Sequence, residues 1–150
     1  MSGKRIAVIP GDGVGVEVTA EAVKVLHAVG ERAGRSWELE HLPWSADYYL
    51  QTGITLPANG YDHLRQFDAV LVGALGDPRV PDNRHARDIL LGTRFELDLY
   101  VNYRPVRLLD ERLCPLKART PEEVNFVVFR ENTEGLYVGV GGRVKPGTAM

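Results

Sequence analysis

The stretch Arg5-Ile6-Ala7-Val8-Ile9-Pro10-Gly11-Asp12-Gly13-Val14-Gly15 constrains the fold more than any other part of this sequence. An unbroken apolar run stopped by proline reads as a strand buried on both faces, the habit of parallel sheets. Val18, Ala22, Val25, Leu26 and Val29 then recur at helical spacing, with Glu17 and Glu21 in the first turns, where the helix dipole favours acidic side chains. Strand, glycine turn and helix make a βα unit. The turn does not meet the dinucleotide fingerprint G-x-G-x-x-G, because Val16 stands where the third glycine belongs. Asp12 within it would also repel a pyrophosphate. The glycines are therefore expected to permit tight backbone geometry near the edge of some ligand.

The remaining pattern repeats the alternation. Residues 37 to 42 alternate like a half-buried strand. Ala46 to Gln51, stopped by Gly53, and Tyr61 to Phe67 read as short helices, and Asp68 to Ala74 as a second continuous apolar strand. Leu75-Gly76-Asp77-Pro78 leaves the carboxyl end of that strand, where open α/β sheets bind their ligands. His85 to Leu97 reads as a helix. Leu99 to Leu108 reads as a long strand that tolerates Pro105 only at an edge or bulge. A connection with Pro115 and Pro121 leads to a strand over Asn125 to Arg130, an extended piece over Leu136 to Val140, and loop residues Gly141, Gly142, Pro146 and Gly147. The class is α/β, a mostly parallel sheet with flanking helices.

Composition removes several functions. Basic and acidic residues number 18 and 20, so no basic field points to nucleic acid. No run approaches the roughly 20 apolar residues of a membrane span, and no signal peptide is evident. Cys114 is the only cysteine, which excludes a disulfide framework and fits a reducing compartment; a cytoplasmic location is the expectation. Partners must be read from sites. Arg94 on the apolar helix, Arg104 before Pro105 and Arg130 at the end of Asn125-Phe126-Val127-Val128-Phe129 are presented from regular elements. A planar guanidinium binds a carboxylate through two parallel hydrogen bonds, so three of them suit a small ligand with more than one carboxylate. The ordinary alternative for any one of them is a surface ion pair.

Four motifs, in order, resemble the β-decarboxylating dehydrogenases, the family of isocitrate, 3-isopropylmalate, homoisocitrate and tartrate/malate dehydrogenases. They are Pro10-Gly11-Asp12-Gly13-Val14-Gly15, Gly73-Ala74-Leu75-Gly76-Asp77-Pro78, Arg94 with Asp98-Leu99-Tyr100-Val101-Asn102-Tyr103-Arg104-Pro105, and Arg130-Glu131-Asn132-Thr133-Glu134-Gly135-Leu136-Tyr137. The resemblance spans the whole chain and implies an incomplete isopropylmalate/isocitrate dehydrogenase-like fold. Residues 1–98 would be the N-terminal half of a discontinuous first domain, and 99–150 the start of an inserted, dimer-forming second one.

The implied activity is oxidative decarboxylation of a 2-hydroxy di- or tricarboxylic acid with NAD, or NADP, and Mg2+ or Mn2+. The implied partners are a small carboxylic acid and, for the full-length protein, a second copy of itself. Arg94, Arg104 and Arg130 would hold the malate carboxylates, and Tyr137 would protonate the enolate left by decarboxylation. Val14, Gly76 and Asp77 would lie near the cofactor. No metal ligand is expected in this chain, since the catalytic lysine and metal-binding aspartates of the family lie beyond it, and residues 1–150 alone are expected to be inactive. Leu90 and Leu91 would meet an alkyl group, which favours 3-isopropylmalate, converted to 2-oxoisocaproate. Arg87 would meet an additional carboxylate, which keeps tartrate or D-malate, isocitrate and homoisocitrate open. A non-catalytic carboxylate- or partner-binding α/β module is the reading from another class. The apolar strands Ile6 to Ile9 and Val70 to Ala74 are expected to lack sheet neighbours.

Overall fold

The chain divides into two compact units, Met1–Leu97 and Asp98–Met150. The computed structural model describes residues 3–141. In the first unit three parallel strands, β1 (Lys4–Gly11), β2 (Trp37–His41) and β3 (Ala69–Ala74), lie in the order β2-β1-β3. Ile6 pairs with Leu39 on one side and Ala69 on the other, and Val8 with His41 and Leu71. The central position explains the sequence of β1: residues 6–9 are all buried, as a strand covered on both faces requires. The expectation that Ile6 to Ile9 lacks neighbours is thereby corrected, because both neighbours come from within this chain. β2 and β3 are the edge strands of this sheet, and the middle residues of β3 are half-buried.

Helix α1 (Val14–Ala33) follows the glycine turn. It meets the sheet through Gly15, Thr19 and Gly30, with Val23 and Leu26 half-buried beside them. Of the periodic stripe Val18, Ala22, Val25, Leu26, Val29, only Leu26 is half-buried; the other four stay exposed. Ala22, Val25, Leu26 and Val29 line an apolar groove of about 360 Å³ with Ile6, Ala69, Val70 and Leu71. On the opposite face of the sheet the core gathers Ala7, Ile9, Leu42, Trp44, Leu64 and Ile89. Helices α2 (Ala46–Thr52) and α3 (Gly60–Leu64) supply part of that cover, α2 beginning where the Ser45 hydroxyl accepts from Tyr48 N at 3.1 Å.

A continuous helical segment closes the unit, built from α4 (Arg84–Ala86), a wide π-helical turn (Arg87–Gly92) and α5 (Thr93–Glu96). His85, Ile89 and Thr93 are its buried residues.

The second unit contains an antiparallel pair, β4 (Val101–Arg107) and β5 (Asn125–Glu131), running from Val101↔Glu131 to Arg107↔Asn125. Among the described residues β4 has only this one partner strand, which is how Pro105 fits within it. Both faces are open: Tyr103, Phe126 and Phe129 are all exposed. Leu136 to Val140 is not extended, as expected from its composition, but contains a 3-10 helix over Gly135–Val138. Gly135 and Gly139, both at φ 66°, bracket that turn in the left-handed region. The Glu131 carboxylate tightens the approach by accepting from Thr133 N at 2.8 Å and Glu134 N at 2.6 Å.

Candidate active site

In the first unit the outward face of the 84–96 helix carries Arg87, Leu90, Leu91 and Arg94. Leu90 is 38% exposed, Leu91 and Arg94 are half-buried, and Arg87 is exposed. Other arginines of this unit are engaged: Arg79 with Asp77 and Asp47, Arg84 with Asp82, Arg65 with Asp62. Among the described residues Arg87 and Arg94 have no acidic partner, which leaves their guanidinium groups available to a ligand. A cation, two leucines and a second cation thus succeed one another along about two helical turns.

In the second unit the strand register settles where the other two arginines point. Asn102 faces Arg130, and Arg104, two residues along β4, faces Val128. Side chains two apart on a strand share a face, so Arg104 and Arg130 are diagonal neighbours on one side of the pair. Arg104 is exposed and has no acidic partner among the described residues. Arg130 is half-buried, its Nη2 donating to Asn132 Oδ1 at 3.0 Å. Asn132 is itself buried and donates to Leu99 O at 3.4 Å. Burial would raise the Glu131 carboxyl, but the N–H groups of Thr133 and Glu134 and the Thr133 hydroxyl hold it at about 2. The motif around Arg130 is therefore a folded scaffold, in which Glu131 and Asn132 fix the backbone and the arginine is displayed. The side chain of Tyr137 lies outside the described residues; its backbone belongs to the 3-10 turn.

The turn at the carboxyl end of β1 is organised by a residue to which the sequence assigned only repulsion. Asp12 is buried, its carboxylate directed inward: Oδ1 accepts from Ala46 N at 2.6 Å, and Oδ2 accepts from Gly76 N at 2.8 Å. Oδ2 also lies 2.8 Å from Nε2 of His85, a fully buried ring stacked on Tyr49 at 6.4 Å. Burial pushes the Asp12 carboxyl up, yet the two backbone N–H groups and the imidazole together hold it below its ordinary value. One carboxylate thereby joins the glycine turn, the start of α2, the exit of β3 and the start of the 84–96 helix. Gly11, at φ 78°, brings the turn so close to β3 that a Cβ would lie 2.1 Å from Ala74 O. Sequence reasoning missed Asp12 and His85, and the only local signal was an acid between two glycines.

Val14, at the start of α1, is 61% exposed, and a side chain built at Gly13 would meet open space. The Gly76 N–H is already donated to Asp12. The Asp77 carboxylate is engaged by the Arg79 side chain and backbone, which hold it at about 2. An exposed valine, an open glycine and a carboxylate paired with Arg79 thus border the turn. Among the described residues no three His, Cys, Asp or Glu side chains converge to hold a metal ion. Nor is any described helix long and apolar enough to cross a membrane.

The first unit is thus a parallel βα sheet followed by a helix bearing Arg87 and Arg94, and the second carries Arg104 and Arg130 on an antiparallel pair. The isocitrate/isopropylmalate dehydrogenase family matches residues 5–149, and the chain belongs to that family. It is 46% identical to D-malate dehydrogenase [decarboxylating] of Escherichia coli (strain K12) over 150 residues, covering 99% of this chain and 42% of the relative. It is 46% identical to 3-isopropylmalate dehydrogenase of Thermobifida fusca (strain YX), covering 96% of this chain and 41% of that protein. The probable tartrate dehydrogenase/decarboxylase of Bacillus subtilis (strain 168) is 47% identical, covering 95% and 40%. Among solved structures, a beta-decarboxylating dehydrogenase from Thermococcus kodakarensis in its apo form superposes with a TM-score of 0.67 at 33% identity, covering 98% of this chain and 39% of that one. The chain thus spans about two-fifths of the length of the curated relatives it matches.

Proposed function

We propose that the full-length protein oxidatively decarboxylates a 2-hydroxy acid carrying further carboxylates, using NAD or NADP and Mg2+ or Mn2+, and that its substrate is 3-isopropylmalate. The observation that carries this reading is the half-buried Arg94, without an acidic partner among the described residues, one turn beyond Leu90 and Leu91 on the same outward helix face. A guanidinium so placed receives a carboxylate bidentately, while the leucines receive an alkyl substituent. Burying that substituent contributes on the order of 2 kcal/mol.

Arg104 and Arg130 hold the remaining carboxylate oxygens in this reading. Their shared strand face fixes the spacing between two planar forks, which a point charge on a flexible stem would not do. The cofactor, when bound, supplies the hydride acceptor; in this reading Val14, Gly76 and Asp77 lie near it. Tyr137 delivers a proton to the enolate carbon after carbon dioxide leaves. A phenol performs that step when a neighbouring cation eases loss of its proton.

Arg87 favours a second reading, in which the substrate is tartrate or D-malate, or bears an added carboxylate as isocitrate and homoisocitrate do. Its guanidinium is exposed and without an acidic partner, and it stands one turn before Leu90. Measuring kcat/KM of the full-length enzyme for 3-isopropylmalate, D-malate, tartrate, isocitrate and homoisocitrate separates the two. At least a tenfold advantage for 3-isopropylmalate is expected, and an advantage for any of the others transfers the assignment to Arg87. Binding of the acids without any turnover or cofactor reduction would favour a carboxylate-binding module instead.

A further inference from the structure

The helix that carries Arg87, Leu90, Leu91 and Arg94 is not regular. His85, Ile89 and Thr93, its buried residues, are spaced by four and again by four. On an ideal α-helix each four-residue step overshoots a full turn by about 40°, so this line of residues would drift roughly 80° off the core. The wide turn at Arg87–Gly92 absorbs the drift. It keeps three residues buried in one line, and it rotates Arg94 relative to Arg87 compared with an unbroken α-helix. Wide turns of this kind are uncommon and need something to hold them.

Contacts from two preceding segments do the holding. The Tyr61 hydroxyl donates to Asp88 O at 2.9 Å, in the middle of the wide turn, where an inserted polar side chain competes with the regular ladder. Thr55 Oγ1 donates to the Asp88 carboxylate. Gly92 completes the fit: a Cβ there would lie 2.0 Å from the Tyr61 hydroxyl oxygen. Burial, with Asp88 and Glu96 nearby, raises the Tyr61 phenol, so the hydroxyl remains a donor.

We propose that Tyr61 and Gly92 determine substrate specificity, because the wide turn they hold fixes where Leu90, Leu91 and Arg94 stand relative to Arg87. The inference rests on the reading of that helix face as the substrate-binding face. Neither residue touches the ligand. Both are positioning residues, and they set the balance between a malate bearing a branched alkyl group and one bearing none. With the turn in place, the leucines and Arg94 present one apolar and one cationic surface at a fixed angle. Without it, the regular advance of about 100° per residue would set Arg94 about 20° from Arg87, about 40° from Leu90 and about 60° from Leu91, changing its angle to the cation and to the leucines.

The test uses the full-length enzyme and its Tyr61→Phe variant, which is nearly isosteric, with Thr55→Val as a second variant that loosens the same turn from another side. The readout is the ratio of kcat/KM for 3-isopropylmalate to that for D-malate, a quantity that a uniform loss of stability leaves unchanged. The expected result is a change of fivefold or more in the ratio for Tyr61→Phe, and a smaller change in the same direction for Thr55→Val. Gly92→Ala, which drives Tyr61 out of the turn, should move the ratio at least as far as Tyr61→Phe. Active variants whose ratios all stay within twofold of the wild type overturn the inference and leave the proposed function standing. A wild-type enzyme that turns over neither acid refutes the proposed function, and the inference with it.

Discussion

Replacing Asp12 by asparagine should cost about 3–5 kcal/mol, from the hydrogen bonds that a buried carboxylate accepts and an amide cannot. The structure gives the reason for so large a value. The carboxylate accepts from Ala46 N, Gly76 N and the His85 ring, and its side chain is almost wholly inaccessible. The amide of asparagine keeps one accepting oxygen, but its NH2 group must face a backbone N–H or the imidazole, donor against donor. Hydrogen bonds to charged groups are worth about 1.5–3 kcal/mol each, so one lost bond and one weakened bond reach the stated range. Urea unfolding of the full-length enzyme at constant m measures it. The effect should be coupled to His85: in a cycle with His85→Leu, the double variant should be at least about 1.5 kcal/mol less unstable than the sum of the singles. The pH dependence has a definite sign. Because the folded carboxyl lies below its ordinary value, its stabilisation is fully present above the unfolded pKa of about 3.9 and is lost as pH falls through the lower folded value. The gap between wild type and Asp12→Asn should therefore hold from neutral pH down to about 4 and narrow below it. A cost under about 1 kcal/mol at neutral pH, or a gap that does not narrow in acid, would refute the role of Asp12 as the tie between these segments.

In the full-length enzyme, Arg94→Lys and Arg104→Lys should each lower kcat/KM by about ten- to a thousandfold, because an ammonium cannot reproduce two parallel hydrogen bonds; unchanged values in both remove these residues from the substrate site. Tyr137→Phe should lower kcat far more than it weakens substrate binding, since its hydroxyl acts on an intermediate. A rise in the substrate dissociation constant larger than the fall in kcat would make it a binding or packing residue. Residues 1–150 expressed alone should self-associate, because the β4–β5 pair exposes Phe126, Phe129 and Tyr103 and β3 presents an open edge. A monomer of 16.6 kDa by size-exclusion chromatography with light scattering, melting sharply and reversibly, would contradict this.

What could be read from the sequence was what local pattern controls. The run Ile6 to Ile9 announced a strand buried on both faces, because such burial demands apolar residues at every position, but that both its neighbours come from this chain was not legible, since pairing is set between distant segments. The helix from 84 to 96 was equally visible, yet its wide turn was not, because Tyr61 and Thr55, which hold it, are more than two dozen residues away and nothing between Arg87 and Gly92 marks the turn. Asp12 failed for the same reason on a larger scale: its partners are 34, 64 and 73 residues distant, so a residue that looked like a charge repelling a ligand proved to be a charge consumed inside the protein. The stripe Val18, Ala22, Val25, Leu26, Val29 was right only at Leu26, which is half-buried, while its other members are exposed. Its period was right, but the sheet sits against Gly15, Thr19 and Gly30, where small side chains let helix and strands approach. Periodicity detects an apolar face without saying which surface covers it. The arginines show where the boundary lies. Sequence singled out Arg104 and Arg130 as candidate carboxylate binders through residue type and motif, but that they share one face depends on the register Asn102↔Arg130, and a shift of one residue would turn one of them to the other side. The chemistry of such a site is written in residue types; its geometry is written in pairings that only the folded chain defines.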